Sequence, residues 1–346
     1  MSFTVNIEPS GHRFSVEADE TVLDAALRQN IGLPYGCRNG ACGACVGTLK
    51  TGDVDYPSGK TDALEQAGEG ACLLCQAVPR SDLSCRVNEV EQAQEIAPRL
   101  LPCRVDGKEQ LAHDVMRLLI KLPEAERLQF LAGQYLEILV PEGKRRAFSI
   151  ASPPQSEDLI ELHVRHVDGG GFTSWVFDEL KVRDILRLEA PLGTFFVRND
   201  ATERPLLMVG GGTGFAPLKS MIEDLLSHGD KRPLHLFWGA ATQAELYMHG
   251  QVQQWDSEHA HIRYTSALSE VDAGEESRTF PGLVHEAVLA AYPDLSAYDI
   301  YISGPPAMVE TGRTAFLEHG AEKRRIFFDS FEFGLDVPVR VLKKPH

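Results

Sequence analysis

The 346-residue sequence predicts a multi-domain α+β and α/β chain: a small N-terminal α+β unit, an antiparallel β-barrel and a doubly wound α/β domain. Three observations predict it. Cysteines 37, 42 and 45 crowd one loop between a strand–strand–helix opening and a further strand. From Cys103 to about Thr202, short alternating strands follow one another with turns. From Arg204 onward, strands alternate with helices. These shifts set boundaries at 1–92, a linker at 93–102, then 103–202 and 203–346.

In the first unit, Phe3-Thr4-Val5-Asn6-Ile7 and Arg13-Phe14-Ser15-Val16 alternate like a hairpin around Pro9-Ser10-Gly11. Thr21 begins a helix with an apolar stripe of Val22, Leu23, Ala25, Ala26 and Leu27, closed by residues 30–34. The cysteine loop follows, and residues 46–50 read as a strand. Residues 91–102 mix charge, alanine and two prolines, the composition of a linker. In the second unit, strands are expected at 115–122, 134–140, 147–151, 160–167 and 185–190, with one short helix near 173–180, as in a small antiparallel barrel. In the third, strands at 206–209, 234–238, 261–267 and 300–303 alternate with helices at 215–227 and near 284–291, a parallel arrangement.

Cys37, Cys42 and Cys45, followed by Cys75 in Leu73-Leu74-Cys75-Gln76, reproduce the C-x4-C-x2-C…C spacing that holds a plant-type [2Fe–2S] cluster, a one-electron carrier. Small residues between the thiols let backbone N–H groups turn toward sulfur and stabilise an anionic cluster. A zinc site is the alternative, but it usually shows paired C-x2-C units. Cys72 rivals Cys75 as fourth ligand. Cys72, Cys85 and Cys103 make a poor disulfide framework, so a reducing cytoplasm is expected. The first eight residues carry no basic segment, and no apolar run of about 18 residues occurs, so neither export nor a membrane span is expected.

A net charge of −16 argues against nucleic-acid binding, which needs a basic face. Residues 1–95 hold 14 Asp/Glu against 7 Lys/Arg, a net of −7 that could steer a basic protein partner or simply aid solubility.

Arg146-Ala147-Phe148-Ser149 offers a bidentate partner for pyrophosphate, an aromatic for a flat ring and a hydroxyl for a ring nitrogen, which suits a flavin nucleotide. Such strings are also common on half-buried strands. His163-Val164-Arg165, then Gly169-Gly170-Gly171-Phe172-Thr173-Ser174 opening a helix, adds backbone amides and a hydroxyl for phosphate, although a flexible turn reads the same way. Gly210-Gly211-Gly212-Thr213-Gly214-Phe215-Ala216-Pro217 follows an apolar strand and opens a helix, placing bare backbone beside a diphosphate. It is neither G-x-G-x-x-G nor a Walker A loop, which disfavours an ATPase. Ser303-Gly304-Pro305-Pro306-Ala307-Met308 ends a later strand, where a tight turn could border a nicotinamide or merely cap the strand. Between Trp238 and Arg263 stands no lysine or arginine to meet a 2′-phosphate, so NADH is expected over NADPH.

Together these residues resemble the ferredoxin–NADP⁺ reductase superfamily in its fused form: a β-grasp plant-type ferredoxin, an FAD barrel and an NAD(P)H domain. Leu131-Ala132-Gly133-Gln134-Tyr135, Glu161-Leu162-His163-Val164-Arg165, Gly193-Thr194-Phe195-Phe196-Val197-Arg198 and the 211–217 segment look closest to its CDP-6-deoxy-Δ3,4-glucoseen reductase branch. The resemblance implies Cys37, Cys42, Cys45 and Cys75 as cluster ligands, and Leu74-Cys75-Gln76-Ala77-Val78-Pro79 matches the family's fourth-ligand context better than the surroundings of Cys72. It implies an FAD site of Arg146, Phe148, Ser149, His163, Arg165, Gly170 and Gly171, with the phosphate hydroxyl on Thr173 or Ser174. The implied NAD site comprises Gly211, Gly212, Thr213, Gly214, Pro217, Gly304, Pro305 and Met308. Ser149, Ser303 and Phe331 would form the flavin–nicotinamide surroundings. Electrons would run from NADH to FAD, to the cluster, and on to an electron-accepting protein, either a PMP-dependent dehydratase or an aromatic dioxygenase or multicomponent monooxygenase. Ser303 departs from the family cysteine and bears on hydride transfer. That departure is the one motive for a different reading, a redox-sensing or binding module.

Overall fold

The computed structural model describes residues 2–93, 96–140, 144–156, 159–270 and 279–331. In the first domain, β1 (Ser2–Glu8), β2 (Arg13–Glu17), α1 (Val22–Arg28), β3 (Val46–Thr51), β4 (Val54–Asp55), α2 (Asp62–Gln66), β5 (Ala71–Leu73), β6 (Val78–Pro79) and β7 (Leu83–Arg86) follow in order. The main sheet runs β2-β1-β7-β3-β5, with β1 and β7 parallel. Alternation turns Val5, Ile7, Phe14 and Val16 inward, and α1 covers them with Val22, Leu23, Ala25 and Ala26. The Thr21 hydroxyl caps α1 by accepting from Asp24 N, a contact worth about 1 kcal/mol.

The second domain contains β8 (Arg99–Ala112), β9 (Val115–Lys121), β10 (Tyr135–Leu139), β11 (Arg145–Ser149), β12 (Ile160–Arg165), α3 (Gly171–Asp178) and β13 (Ile185–Leu192). Its sheet runs β11-β10-β13-β8-β9-β12, and the bridge Ile150↔Leu162 joins the two ends into a barrel. One expectation is corrected: residues 99–102 are not linker but the start of β8, paired from Ala190↔Arg99 to Arg187↔Pro102. Pro102 is tolerated because β9 joins β8 only from Arg104, so the missing N–H faces no partner strand there.

The third domain contains β14 (Leu206–Gly211), α4 (Phe215–Ser227), β15 (Leu234–Ala240), α5 (His249–Glu258), β16 (Ile262–Leu268), β17 (Thr279–Pro281), α6 (Val284–Ala291), β18 (Asp299–Gly304), α7 (Pro306–Glu318) and β19 (Ile326–Ser330). The parallel order β17-β16-β15-β14-β18-β19 puts the topological switch point between β14 and β18. The turn expected after Ser303 is in fact the head of α7, with Pro305 as N-cap and Pro306 in the first turn, where no N–H is needed. The sequence beyond Phe331 lies outside the described residues. Among those described, no helix is long and apolar enough to cross a membrane.

Candidate redox site at the three-domain junction

The cysteine loop between α1 and β3 turns through left-handed backbone at Arg38 (φ 59°), Gly40 (φ 93°) and Gly43 (φ 73°). A Cβ on Gly40 would lie 2.9 Å from Gln76 Cγ, so that position requires glycine. Gln76, next to Cys75, donates to Arg38 O (3.0 Å), and Thr61 Oγ1 donates to Gly40 O (2.6 Å). The segment carrying the fourth thiol therefore grips the loop carrying the other three.

The thiols are paired. Cys37 N donates to Cys42 Sγ (3.4 Å), and Cys42 N donates to Cys37 Sγ (3.3 Å). Hydrogen bonding to Cys42, aided by backbone amides, lowers the Cys37 thiol to about 6. Cys45 shares a hydrogen bond with Cys75. Cys72 instead bonds Cys85 and Tyr56, which separates it from this group. Among the described residues, no three His, Cys, Asp or Glu side chains converge on a single metal-ion position. Two thiol pairs suit a two-iron cluster better than one tetrahedral zinc.

On the barrel, Phe148 packs against Phe172 of α3 (5.6 Å between ring centroids), bringing Arg146, Phe148 and the head of α3 together. No side chain caps α3, so its first amides remain available to an anion. Thr173 Oγ1 accepts from Val167 N (3.1 Å) and donates to Gly170 O (3.2 Å), whereas Ser174 Oγ meets His166 Nε2 (3.2 Å). Both candidate hydroxyls sit at this helix entrance. His163 does not join the group. Along β12, Glu161, His163 and Arg165 meet the third domain while Leu162 and Val164 fill the barrel core. His163 Nδ1 meets Tyr247 OH (2.9 Å) and Nε2 meets Glu161 Oε1 (2.8 Å); burial keeps its pKa low and the ring neutral. Arg165 pairs with Asp114 (3.0 Å) and abuts Gly212, where an added Cβ would lie 2.8 Å from Nη1.

The glycine-rich loop leads from β14 into α4 at the switch point. A Cβ on Gly214 would fall 2.1 Å from Ser303 O, and one on Gly211 would fall 2.4 Å from Met308 Sδ. These glycines therefore let the 210–214 and 303–308 loops close on each other, with Pro305 and Met308 lining the contact. Gly212 O accepts from Trp238 Nε1 (3.0 Å), and Thr213 stays partly exposed at the strand ends. Pro217 is buried in the first turn of α4. Ser303 is fully buried, and its hydroxyl has no hydrogen-bond partner within the protein. A buried orphan hydroxyl at a switch point fits a ligand that completes it.

A carboxylate that sequence reasoning passed over joins these parts. Asp329 stands opposite Ser303 in the β18–β19 ladder, and Ser149 Oγ donates to Asp329 Oδ2 across the domain boundary (3.3 Å). Burial raises Asp329 to about 7; Ser149 opposes that shift, and the charge of Cys37 adds to it. Phe331 N donates to Gly304 O (2.9 Å), closing the same corner. The only signal in the sequence was an acid inside the aromatic run Phe327-Phe328-Asp329-Ser330-Phe331. The junction thus gathers Ser149, Ser303, Asp329 and Phe331, with the Asp329 carboxyl near enough to Cys37 to feel its charge.

Three family descriptions match in succession: a 2Fe-2S iron-sulfur cluster binding domain over residues 5–80, an oxidoreductase FAD-binding domain over 102–197 and an oxidoreductase NAD-binding domain over 208–314. The CDP-6-deoxy-L-threo-D-glycero-4-hexulose-3-dehydrase reductase of Yersinia pestis is 38% identical over 331 residues, covering 96% of this chain and 99% of that one. Reductase component 2 of terephthalate 1,2-dioxygenase from Comamonas sp. is 34% identical, covering 96% and 98%. The crystal structure of the Amycolatopsis cytochrome P450 reductase GcoB superimposes with a TM-score of 0.79 at 33% identity, covering 95% and 98%.

Proposed function

This chain belongs to the family of fused iron–sulfur flavoprotein reductases, and from that premise we propose that it delivers electrons from NADH to the dehydratase of a CDP-deoxysugar pathway. It is an NAD(P)H-dependent oxidoreductase with FAD and a [2Fe–2S] cluster, and it serves an electron-accepting partner. When bound, the nucleotide would supply hydride chemistry, FAD would exchange electrons in pairs or singly, and the cluster would carry one at a time. Cys37, Cys42, Cys45 and Cys75 would hold the cluster. Arg146, Phe148 and the head of α3 would hold FAD, Ser303 would offer its orphan hydroxyl to whichever ring system fills the junction, and the Ser149–Asp329 pair would hold the accompanying proton.

The observation that supports this reading is the meeting of Ser149, Asp329 and Ser303, with Asp329 in electrostatic reach of Cys37, because the residues proposed for inlet and outlet would then share one junction. NADH preference has its own support. Arg263 pairs with His235 near the start of its strand, five positions before Leu268 at the carboxyl edge. The acceptor follows the degree of likeness, 38% for the hexulose-dehydrase reductase against 34% for the dioxygenase component. Unbridged cysteines suit the reducing cytoplasm proposed for the chain.

Anaerobic titration with NADH and NADPH, followed by absorbance and EPR, tests the donor side. NADH should bleach flavin and develop the signal of a reduced [2Fe–2S] cluster at lower concentration than NADPH. Reconstitution with a PMP-dependent dehydratase and, separately, with a terminal oxygenase tests the acceptor. Turnover with the oxygenase alone refutes the deoxysugar assignment. Loss of response to either nucleotide favours the redox-sensing module.

A further inference from the structure

We propose that Tyr135 is a positioning residue that clamps the cysteine loop onto the barrel strand carrying Ser149. Tyr135 opens β10 and is the direct cross-strand partner of Ser149 on β11. Its side chain leaves the barrel: with Leu192, it packs into the hydrophobic core of the first domain. There the phenol donates to Gly36 O (2.8 Å), the residue immediately before Cys37. One side chain thus spans from the strand at the flavin position to the backbone of a cluster thiol.

The surrounding geometry is built to receive that ring. Gly193 (φ 88°) lies beneath it, and a Cβ there would fall 2.8 Å from Tyr135 Cδ1. The next residue, Thr194, takes up Tyr35 from both sides. Thr194 Oγ1 accepts from Tyr35 N (3.0 Å) and donates to Tyr35 O (3.0 Å), while Thr194 N also donates to Tyr35 O (3.1 Å). Two consecutive loop residues, Tyr35 and Gly36, are therefore fastened to the barrel directly before Cys37. A second, weaker tie runs from Arg38 to Glu137 (3.9 Å), itself paired with Arg145 (3.1 Å). Burial raises the Tyr135 phenol well above its ordinary value, so it remains a donor at working pH.

Packing alone would not need this arrangement, since a phenylalanine would fill the same hollow. Among the described residues, the hydrogen bond of this hydroxyl runs to the cluster loop, outside its own domain. Passage of a single electron makes and breaks no bond, so its rate depends on how closely and how often the two carriers are held together. The functional consequence rests on the relay reading above, whereas the clamp itself rests on the hydrogen bonds.

The test uses the cofactor-loaded full chain as wild type, Tyr135→Phe, Thr194→Val and the double variant. Hydrogen exchange is read at the amides of Tyr35 and Thr194, together with NADH-driven reduction of ferricyanide and of cytochrome c. Loss of one buried hydrogen bond should lower protection about fivefold in Tyr135→Phe, and further in the double variant. The ratio of cytochrome c to ferricyanide turnover should fall in the same order, with ferricyanide turnover retained. Unchanged protection overturns the clamp. Lowered protection with an unchanged ratio, or both activities falling together, overturns the positioning role. A wild type that reduces ferricyanide but never its own cluster refutes the relay instead, and the exchange data still decide the clamp.

Discussion

Replacing Lys219 by methionine should destabilise the junction between barrel and nucleotide domain by about 3 kcal/mol, and a second change should restore most of that loss. Lys219 is buried on α4, and its ammonium meets Ala151 O (3.3 Å), Glu161 Oε2 (3.1 Å) and Glu223 Oε2 (3.0 Å). Ala151 and Glu161 belong to the barrel, so the bonds cross the domain boundary, as does Ser220 Oγ donating to Ser152 O (2.8 Å). Glu161 is the charge partner that responds. Burial alone would raise its pKa, but His163 and Lys219 hold it down at about 2, from an ordinary 4.5. A folded-state value below the unfolded one contributes stability that is present above about pH 4.5 and lost as the pH falls toward 2. His163 shares in holding that value down, so the magnitude expected for Lys219→Met is the loss of about 3 kcal/mol that follows when a buried pair is broken from one side. Methionine keeps the volume of the stem and removes the ammonium from Glu161, which retains its hydrogen bond with His163. Thermal and urea unfolding of Lys219→Met, Glu161→Gln and the double variant make the measurement, with stopped-flow reduction of flavin by NADH as the functional readout. The double variant should stand closer to wild type than Lys219→Met does, and flavin reduction should slow in the single variant because α4 begins at the glycine-rich loop. The reasoning fails if Lys219→Met unfolds within about 0.5 kcal/mol of wild type, the range of an ordinary surface substitution, or if the double variant is no better than the single.

Cys75→Ser should abolish cytochrome c reduction while largely sparing ferricyanide, whereas Cys72→Ser, which touches Cys85 and Tyr56, should leave both intact; EPR of the reduced proteins checks which thiol binds iron. Asp329→Asn should remove an inflection near pH 7 from the rate of cytochrome c reduction, read as a pH profile against wild type. The same carboxyl works against stability as the pH rises from about 4 to about 7, because its folded value lies above its unfolded one. Wild type should therefore lose stability through that window relative to Asp329→Asn, and parallel curves would refute the buried titration.

The cysteine spacing and the change of period from alternating strands to strand–helix units were legible in the chain because they are local patterns. Those patterns carried the three-part fold and its three cofactor classes. Residues 99–102 misled because proline and charge signal a linker locally, while the pairing that makes them strand comes from β13, about ninety residues on. Pro305-Pro306 read as a tight turn after a strand because proline marks turns locally, whereas a proline in a first helical turn also needs no N–H and here opens α7.

What the sequence determined by itself is the inventory: four thiols with cluster spacing, a flavin strand and two loops for a dinucleotide. Only the tertiary structure decided who meets whom. It paired Cys75 with Cys45 and Cys72 with Cys85, turned His163 away from the Arg146–Ser149 strand toward Tyr247, and brought Asp329 to Ser149 from 180 residues away. The reason is physical. Spacing along a chain sets the chemistry a segment can perform, but the distances, burial and charges that govern electron and proton movement arise between segments that become neighbours only when the three domains pack.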